Sequence, residues 1–472
     1  MQQGADEASA SAGGGRQQHG GGAGSGGKQQ KRHKPHHKPS HRPSPAPVPV
    51  ADLPLPEEGT YIDGSMLEGG GQILRNASAL AAILGRPLKV DKIRAGRDKP
   101  GLRPQHLTGL QVVAALCGGQ LLGGQVGSSC ITLSPGQLVC SHHTGDTKTA
   151  GSCMLLAQSA LPCLLFAATG QAGAPGAGSS AAAETAAAGA AEADAADDGA
   201  ALQAAVRGGT ASELNLRGGT DAAMAPPAGY MQHVLLPTLR RRLAVRASMQ
   251  LIRRGFFPRG QGQVQLTVER LAPGACLPAI DLTERGEIMS IAIRAFTAGR
   301  VVPSVGERLA DAALKAVKAR LPRCGVPRSV PITCDGVHEP PERAFSDGCG
   351  LLVTAESSTG CLWGASGLGE RGVRAEDIGQ RAADELMDAL EVGACTDEWL
   401  QDQLIIFMAL AKGRSRMLTG EPTLHTRTAC MVAEALTGAR FSVAPAPVGP
   451  GQAQRPGLWL VECEGAAVAA PP

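Results

Sequence analysis

Four short runs carry residue types suited to handling a chain of phosphates. The first is Asp63-Gly-Ser-Met-Leu-Glu68-Gly-Gly-Gly-Gln72, placed just before an expected helix. Three glycines let backbone N–H groups approach an anion, and a helix N-terminus adds a favourable dipole. No Lys-Ser/Thr follows the glycines, so the run is not a P-loop. Glu68 has the chemistry to hold a divalent cation beside phosphates. The second run, Arg94 to His106, places Arg94, Arg97, Lys99 and Arg103 in one loop, with Gln105 and His106 opening the next helix. Arginines grip phosphate bidentately. In the third, Trp399, Asp402 and Gln403 stand at i, i+3 and i+4, hence on one helical face. An aromatic, a carboxylate and an amide can stack on a purine and hydrogen-bond it. In the fourth, Thr423-Leu-His425-Thr-Arg427-Thr428, an imidazole sits beside an arginine at a helix start, where its pKa is pushed down and it becomes nucleophilic near pH 7. Each run also has a plainer reading: a tight turn, a solvated basic loop, a capped helix with a packed Trp, a structural His.

The elements that must position these runs repeat. A strand at Gly59–Ile62, a helix at Gly70–Leu84, a strand at Pro87–Ile93, a helix at His106–Cys117 and strands at Gln120–Val126 and Cys130–Ser134 give the order β-α-β-α-β-β. The pattern returns with helix Gly151–Ala168, strand Ser212–Arg217, helix Gly229–Leu243 and strands Gln250–Arg254 and Gln263–Glu269. It returns again with helix Glu398–Lys412, strand Ser415–Leu418, helix Thr426–Leu436 and strands Arg440–Val443 and Leu458–Cys463. Three copies of one unit predict a quasi-symmetric α/β (α+β) body. The stretch 275–393 interrupts the third copy. Its strand-like pieces Glu287–Phe296 and Gly350–Ala355 and helices Val305–Leu321 and Ala375–Leu390 predict a small inserted α/β domain.

Composition narrows the class. Lys plus Arg number 45 against 42 Asp plus Glu, a net charge of +3 over 472 residues. Residues 1–50 alone hold seven basic residues and two acids, and 171–206 hold five acids and no base. The body between is nearly neutral, so a phosphate site must be local rather than a broad basic surface. Residues 1–58 read as a disordered Gly/His/Pro-rich tail, with Lys31–Pro39 suited to nuclear import or RNA contact. Residues 170–208 read as a low-complexity Ala/Gly surface loop. Thirteen cysteines without a CxxC pair predict free thiols in a nuclear or cytoplasmic protein. No apolar run is long enough for a membrane span, and no signal-peptide pattern opens the chain.

Taken together and in order, DGSMLEGGGQILR, IRAGRDKPGLRPQHLTGL, DTKTAGSCMLLAQ, RGGTDAAMAPP, RRGFFPRGQGQV, DEWLQDQLIIFMALA and TLHTRTA resemble the RNA 3′-terminal phosphate cyclase family, in its eukaryotic-type, catalytic branch. The resemblance covers about residues 59–465 apart from the Ala/Gly island. It implies three βαβαββ units in a large domain (59–274 and 394–465), the small inserted domain (275–393) and a short tail (466–472). It implies ATP-dependent closure of an RNA 3′-phosphate to a 2′,3′-cyclic phosphate through histidine–AMP and RNA–adenylate intermediates, with Mg²⁺ or Mn²⁺. His425 matches the family's nucleophile. Trp399 matches an adenine-stacking aromatic, usually tyrosine, and Pro226 the residue on the opposite face. Gln158, Asp402 and Gln403 match further nucleotide positions. Glu68 matches a carboxylate near the metal, and Arg75, Arg94, Arg97, Gln105 and His106 fall where the family clusters phosphate-binding groups. The partner implied is RNA with a 3′-phosphate end; no protein partner is indicated. Gly260-Gln261-Gly262 departs from the family's usual glycine triplet. A non-catalytic cyclase-like branch acting in ribosome biogenesis is the alternative; it lacks the nucleophilic histidine, whereas His425 is present here. Enolpyruvyl transferases use six such repeats, more than this chain can hold.

Overall fold

The computed structural model describes residues 53–170, 193–447 and 456–472. The Lys31–Pro39 block lies outside them. Leu53–Glu58, read as part of the tail, belong to the body: Gly59 N–H donates to Pro56 O (3.0 Å), and Thr132 Oγ1 reaches Pro54 O (3.5 Å).

The first unit comprises β1 (Thr60–Asp63), α1 (Gly71–Leu84), β2 (Leu88–Asp91), α2 (Pro104–Leu116), β3 (Gln120–Leu122) and β4 (Ile131–Ser134). Its sheet has the order β1-β2-β4-β3, with β1 parallel to β2 and the other pairs antiparallel. The second unit comprises β5 (His142–Asp146), α3 (Cys153–Leu165), α4 (Ala193–Arg207), β6 (Ala211–Gly218), a helix formed by α5 (Ala228–Tyr230), a π turn (Met231–Leu235) and α6 (Leu236–Leu243), then β7 (Ala247–Arg253) and β8 (Gly262–Glu269). Its order is β5-β6-β8-β7. The wider turn falls just ahead of Pro237, which has no N–H to offer the ladder.

The third unit opens with β9 (Asp281–Leu282) and then leaves for the inserted domain: β10 (Ile288–Ala298), α7 (Pro303–Arg320), β11 (Ile332–Glu339), β12 (Gly348–Ser357), β13 (Leu362–Leu368) and α8 (Ala375–Val392). It resumes with α9 (Glu398–Gln403), α10 (Ile405–Leu410), β14 (Lys412–Thr419), α11 (Leu424–Thr437), β15 (Arg440–Pro445) and β16 (Trp459–Ala466). The order β15-β16-β14-β9 repeats that of the other two units. Because β9 pairs with β14, residues 281–282 belong to the large domain, and the excursion begins after Leu282 rather than at 275.

Helices α1, α2, α3, α10 and α11 pack on one another, with the three sheets around them. α1 shows why: Ile73, Leu74, Ala77, Leu80 and Ala81 are all buried and recur at helical spacing. The loop reading of 170–208 needs correction over its second half. Ala193–Arg207 is a helix, docked beside β6–β8 through buried Leu202 and half-buried Ala205 and Val206. A three-residue apolar patch sufficed where a full stripe was sought. The final residues are likewise packed rather than a tail, for the Ala470 N–H donates to Ala275 O (2.8 Å) and the Ala470 carbonyl accepts from Gly274 N–H (3.0 Å). No helix among the described residues is long and apolar enough to cross a membrane, and all thirteen cysteines are free thiols.

Two of the anchors between the inserted domain and the large one centre on single side chains, in addition to the Arg241–Glu356 ion pair (2.9 Å). Arg254 lies half-buried between Asp221 (3.2 Å) and Glu339 of β11 (2.7 Å), with its guanidinium 3.8 Å from the Phe296 ring centroid. The second anchor is Asp397, described below.

Candidate active site

The Gly-rich loop after β1 is shaped by its own carboxylates. Asp63 is committed to the turn: it accepts from Ser65 N–H (2.9 Å) and from Lys92 Nζ (2.6 Å). Glu68 folds back over Gly70, where a Cβ would lie 2.0 Å from its carboxylate oxygen, so this placement of the carboxylate requires glycine at 70. The Glu68 backbone N–H donates to Thr428 Oγ1 of α11 (3.2 Å). Arg97 donates to the Glu68 carbonyl (2.9 Å) and pairs with its Oε1. Oε2 is buried and finds no partner among the described residues.

Behind that loop runs a chain of polar contacts. Arg75 donates to Gln72 Oε1, and Gln72 Nε2 donates to Asp402 Oδ2 of α9 (3.2 Å). Burial lowers the Arg75 pKa, while Asp402 and Glu68 oppose that shift. Burial also pushes the Asp402 carboxyl up to about 7, and Arg75 offsets only part of it. Arg75 Nε, Asp402 Oδ1 and Gln403 Oε1 are buried atoms without partners. With Glu68 Oε2, the loop, α1 and α9 thus present four unsatisfied polar atoms. Buried polar groups are ordinarily bonded, so this concentration marks a site built for a ligand.

The basic loop divides its labour. Arg94 sits at a left-handed φ of 54° and donates through Nη1 to Lys99 O (2.7 Å) and Gly101 O (3.1 Å), so it staples the loop. Arg97 faces Glu68. Gln105 Oε1 accepts from Ser152 N–H (3.4 Å), where Ser152 caps α3. His106 Nδ1 accepts the Arg103 N–H (3.3 Å), which leaves the proton of the neutral ring on Nε2 as a donor. Burial, reinforced by Arg75, Arg94 and Arg103, holds its pKa down to about 3. Arg75 Nη1 and His106 Nε2 both approach Gly71, each 2.9 Å from where a Cβ would stand. Arg75, Gln105, His106 and Ser159 line one small cavity between α1, α2 and α3. Gln158 is half-buried one position before Ser159.

His425 is the second residue of α11, exposed at its N-terminus, where Thr423 Oγ1 accepts the Thr426 N–H (3.2 Å). Desolvation by surrounding protein lowers its pKa below 6.5; Arg75 and Arg97 reinforce this, and Glu68 opposes it. The imidazole is therefore neutral near pH 7. Two hydroxyls fix this helix end. Thr426 Oγ1 donates to Gln401 Oε1 of α9 (2.9 Å), and Thr428 holds Glu68.

Trp399 is half-buried in the first turn of α9, and Gln403 Nε2 donates to its carbonyl (2.8 Å). That side-chain bond competes with the helical ladder, and the expected single helix 398–412 breaks at Leu404 into α9 and α10. Pro226 is buried in the turn leading to α5. The elements bearing Pro226 and Trp399 are joined by Tyr230 Oη donating to Asp397 Oδ1 (2.6 Å). Gln261 takes a left-handed φ of 56°, so the departure from a glycine triplet falls at a position that favours glycine.

Glu68, Arg75, Arg97, Asp402 and His425 are therefore brought together, with His106 beside Arg75. Arg94 and Gln105 support that set from behind. Sequence reasoning missed Gln72, Tyr230, Asp397, Gln401, Thr426 and Thr428. Asp397 carried a usable signal as an N-cap acid four residues after the Gly393 that ends α8, and Gln72 and Thr428 stood inside the quoted runs without a role being read for them. A larger cavity, about 190 Å³, lies between the two domains and holds none of the expected residues.

The fold is that of an α/β protein built on three βαβαββ units with one shared sheet order and an inserted α/β domain. The family model described as RNA 3′-terminal phosphate cyclase matches residues 66–172 and 178–443. The chain is 36% identical over 404 residues to the RNA 3′-terminal phosphate cyclase of Drosophila melanogaster, covering 86% of this chain and 96% of that one. It is 35% identical over 388 residues to a probable RNA 3′-terminal phosphate cyclase of Dictyostelium discoideum, covering 81% and 78%. It is 34% identical over 404 residues to that of Pyrobaculum aerophilum, covering 86% and 97%. The chain belongs to the RNA 3′-terminal phosphate cyclase family, whose members are ligases.

Proposed function

We propose that this protein uses ATP to convert an RNA 3′-phosphate into a 2′,3′-cyclic phosphodiester. The observation that carries the reading is His425. It is a neutral imidazole at a capped helix N-terminus, beside Glu68, Arg75 and Arg97 and tied by Thr426 and Thr428 to the adjoining elements.

The chemistry follows from those groups. The unprotonated ring nitrogen of His425 attacks the α-phosphorus of ATP; an N–P bond forms and the bond to pyrophosphate breaks. An oxygen of the RNA 3′-phosphate then attacks the AMP phosphorus, releasing the imidazole. The adjacent 2′-hydroxyl finally attacks the 3′-phosphorus, gives up its proton and expels AMP. The last step is intramolecular and needs no further nucleophile from the protein. Arg75, Arg97 and the Nε2–H of His106 offset the charge of the converging phosphates. Trp399 and Pro226 hold the adenine ring, and Asp402, Gln403 and Gln158 its polar edges and ribose.

Glu68 suits a hard divalent cation. Its buried Oε2 lacks a partner, and the described residues contain no cluster of three or more ligating side chains. One carboxylate oxygen completed by water and phosphate oxygens matches the habit of Mg²⁺ or Mn²⁺, which would supply Lewis-acid stabilisation of phosphate charge.

Incubation with α-labelled ATP and Mg²⁺ should give an acid-labile protein–AMP adduct that transfers to RNA bearing a 3′-phosphate. His425→Ala should abolish it. A labelled adduct persisting in that variant would refute the assignment.

A further inference from the structure

Asp397 lies where the chain re-enters the large domain from α8, and it is 5% exposed. One carboxylate gathers four donors from three parts of the molecule. Oδ1 accepts from Tyr230 Oη of α5 (2.6 Å), Trp399 N–H (2.9 Å) and Leu400 N–H (2.8 Å). Oδ2 accepts from Gly364 N–H of β13, in the inserted domain (2.7 Å). The Tyr230 ring closes on Gly364, where a Cβ would meet its Cδ2 at 2.9 Å. Tyr230 is fully buried.

α9 is a single six-residue segment, so its end groups govern its orientation. Its first turn bears Trp399, and its second bears Asp402 and Gln403. The Asp397 carboxylate caps that first turn, and the Trp399 N–H is one of the groups it holds. The Pro226 turn feeds α5, whose Tyr230 ends on the same carboxylate. Thus the two sides of the adenine cradle and one strand of the inserted domain meet at a single side chain.

We propose that Asp397 is a positioning residue of the nucleotide pocket, and that through it the inserted domain sets how tightly ATP is held. The inference rests on the reading of Trp399, Asp402 and Gln403 as nucleotide-binding. It gives the inserted domain a task in nucleotide binding as well as any it has with RNA.

Two variants separate the contacts. Asp397→Asn keeps one oxygen for the cap but sets an amide N–H against the Gly364 N–H. Tyr230→Phe deletes only the hydroxyl. Single-turnover formation of the protein–AMP adduct, followed against ATP concentration on the full chain, yields a half-saturating concentration, a maximal rate and an amplitude. Thermal unfolding is recorded alongside. A lost hydrogen bond to a buried carboxylate should raise the half-saturating concentration by about tenfold in Asp397→Asn, and by less in Tyr230→Phe. The maximal rate should stay within about twofold, because His425 is untouched. If wild type forms the adduct and both variants saturate at the wild-type concentration, the inference is overturned. Loss confined to amplitude and melting temperature also overturns it, since that is the signature of a purely structural residue. If wild type neither forms the adduct nor binds ATP, the nucleotide reading fails, and the inference with it.

Discussion

Gln72 donates its amide N–H to Asp402 across 3.2 Å, although the two stand 330 residues apart, and its amide oxygen accepts from Arg75. One neutral side chain thus spaces a buried carboxylate from a buried guanidinium. The spacing leaves Arg75 Nε and Asp402 Oδ1 open rather than spent on each other. Direct pairing would have used up groups that the proposed function assigns to the nucleotide and its phosphates.

That arrangement makes Asp402→Ala costly in two ways. It leaves the Gln72 amide without its acceptor and Arg75 without a nearby opposing charge, which should cost about 1–2 kcal/mol of stability in denaturant melts. It should also remove adduct formation. Asp402→Asn, which preserves shape, should restore most of the stability and little of the adduct. Equal recovery of both would argue against a nucleotide contact by the carboxylate.

The rate of adduct formation should fall in acid as His425 gains a proton. The lowered pKa of this imidazole places that limb below an ordinary histidine's 6.5. Glu68 acts to raise it, so Glu68→Gln should move the limb to still lower pH, besides weakening the metal response. Rapid-quench labelling across pH 5–8 (roughly the range an imidazole controls) reads both effects. A limb moving upward in Glu68→Gln would contradict the proximity of the two side chains.

Stability should carry the mark of His106. Its folded pKa is held down to about 3, against 6.5 unfolded. The unfolded chain therefore binds the extra proton between those values, and stability drains away as pH falls from 6.5 towards 3. His106→Gln should flatten this part of the stability–pH curve, measured by denaturant titration at several pH values. An unchanged slope would show that the ring is not buried as a neutral donor.

Gly70→Ala should mimic loss of Glu68. The added methyl would displace the Glu68 carboxylate rather than backbone. Adduct formation should fall by about two orders of magnitude, as for removal of a charge-stabilising group, with little change in melting temperature. Wild-type labelling by this variant would exclude Glu68 from the reaction.

A DNA strand with a 3′-phosphate should accept AMP and then stop, since it has no 2′-hydroxyl to close the ring. Mass spectrometry should find the adenylylated DNA end accumulating, whereas the matched RNA should end as the cyclic phosphate. An RNA that also stalls at the adenylate would show that positioning of the sugar is lacking.

Much of this was legible before the fold was seen. Apart from α4, the helices of all three units stood out because their apolar faces recur at helical spacing, as in α1. β5 did not, because His142-His-Thr-Gly-Asp146 is a polar edge strand paired only with β6. β11 was hidden for the same reason: it is an edge strand exposed at most of its positions, so no alternation appears. At the site, residues with distinctive chemistry were visible, including His425, Arg75 and Glu68. The groups that hold them, such as Gln72, Thr428 and Tyr230, have no local signature. Their roles exist only because distant segments meet.

The bond from Glu68 N–H to Thr428 joins residues 360 apart, and the whole inserted domain lies between them. A ribosome making this chain exposes the Gly-rich loop and its arginines long before α11 exists. At ordinary elongation speeds the delay is roughly 20–70 seconds. Throughout that interval the nascent polypeptide has the Gly-rich loop and its arginines but not His425. On the proposed route, adduct formation waits for α11, since chains abandoned before it lack His425.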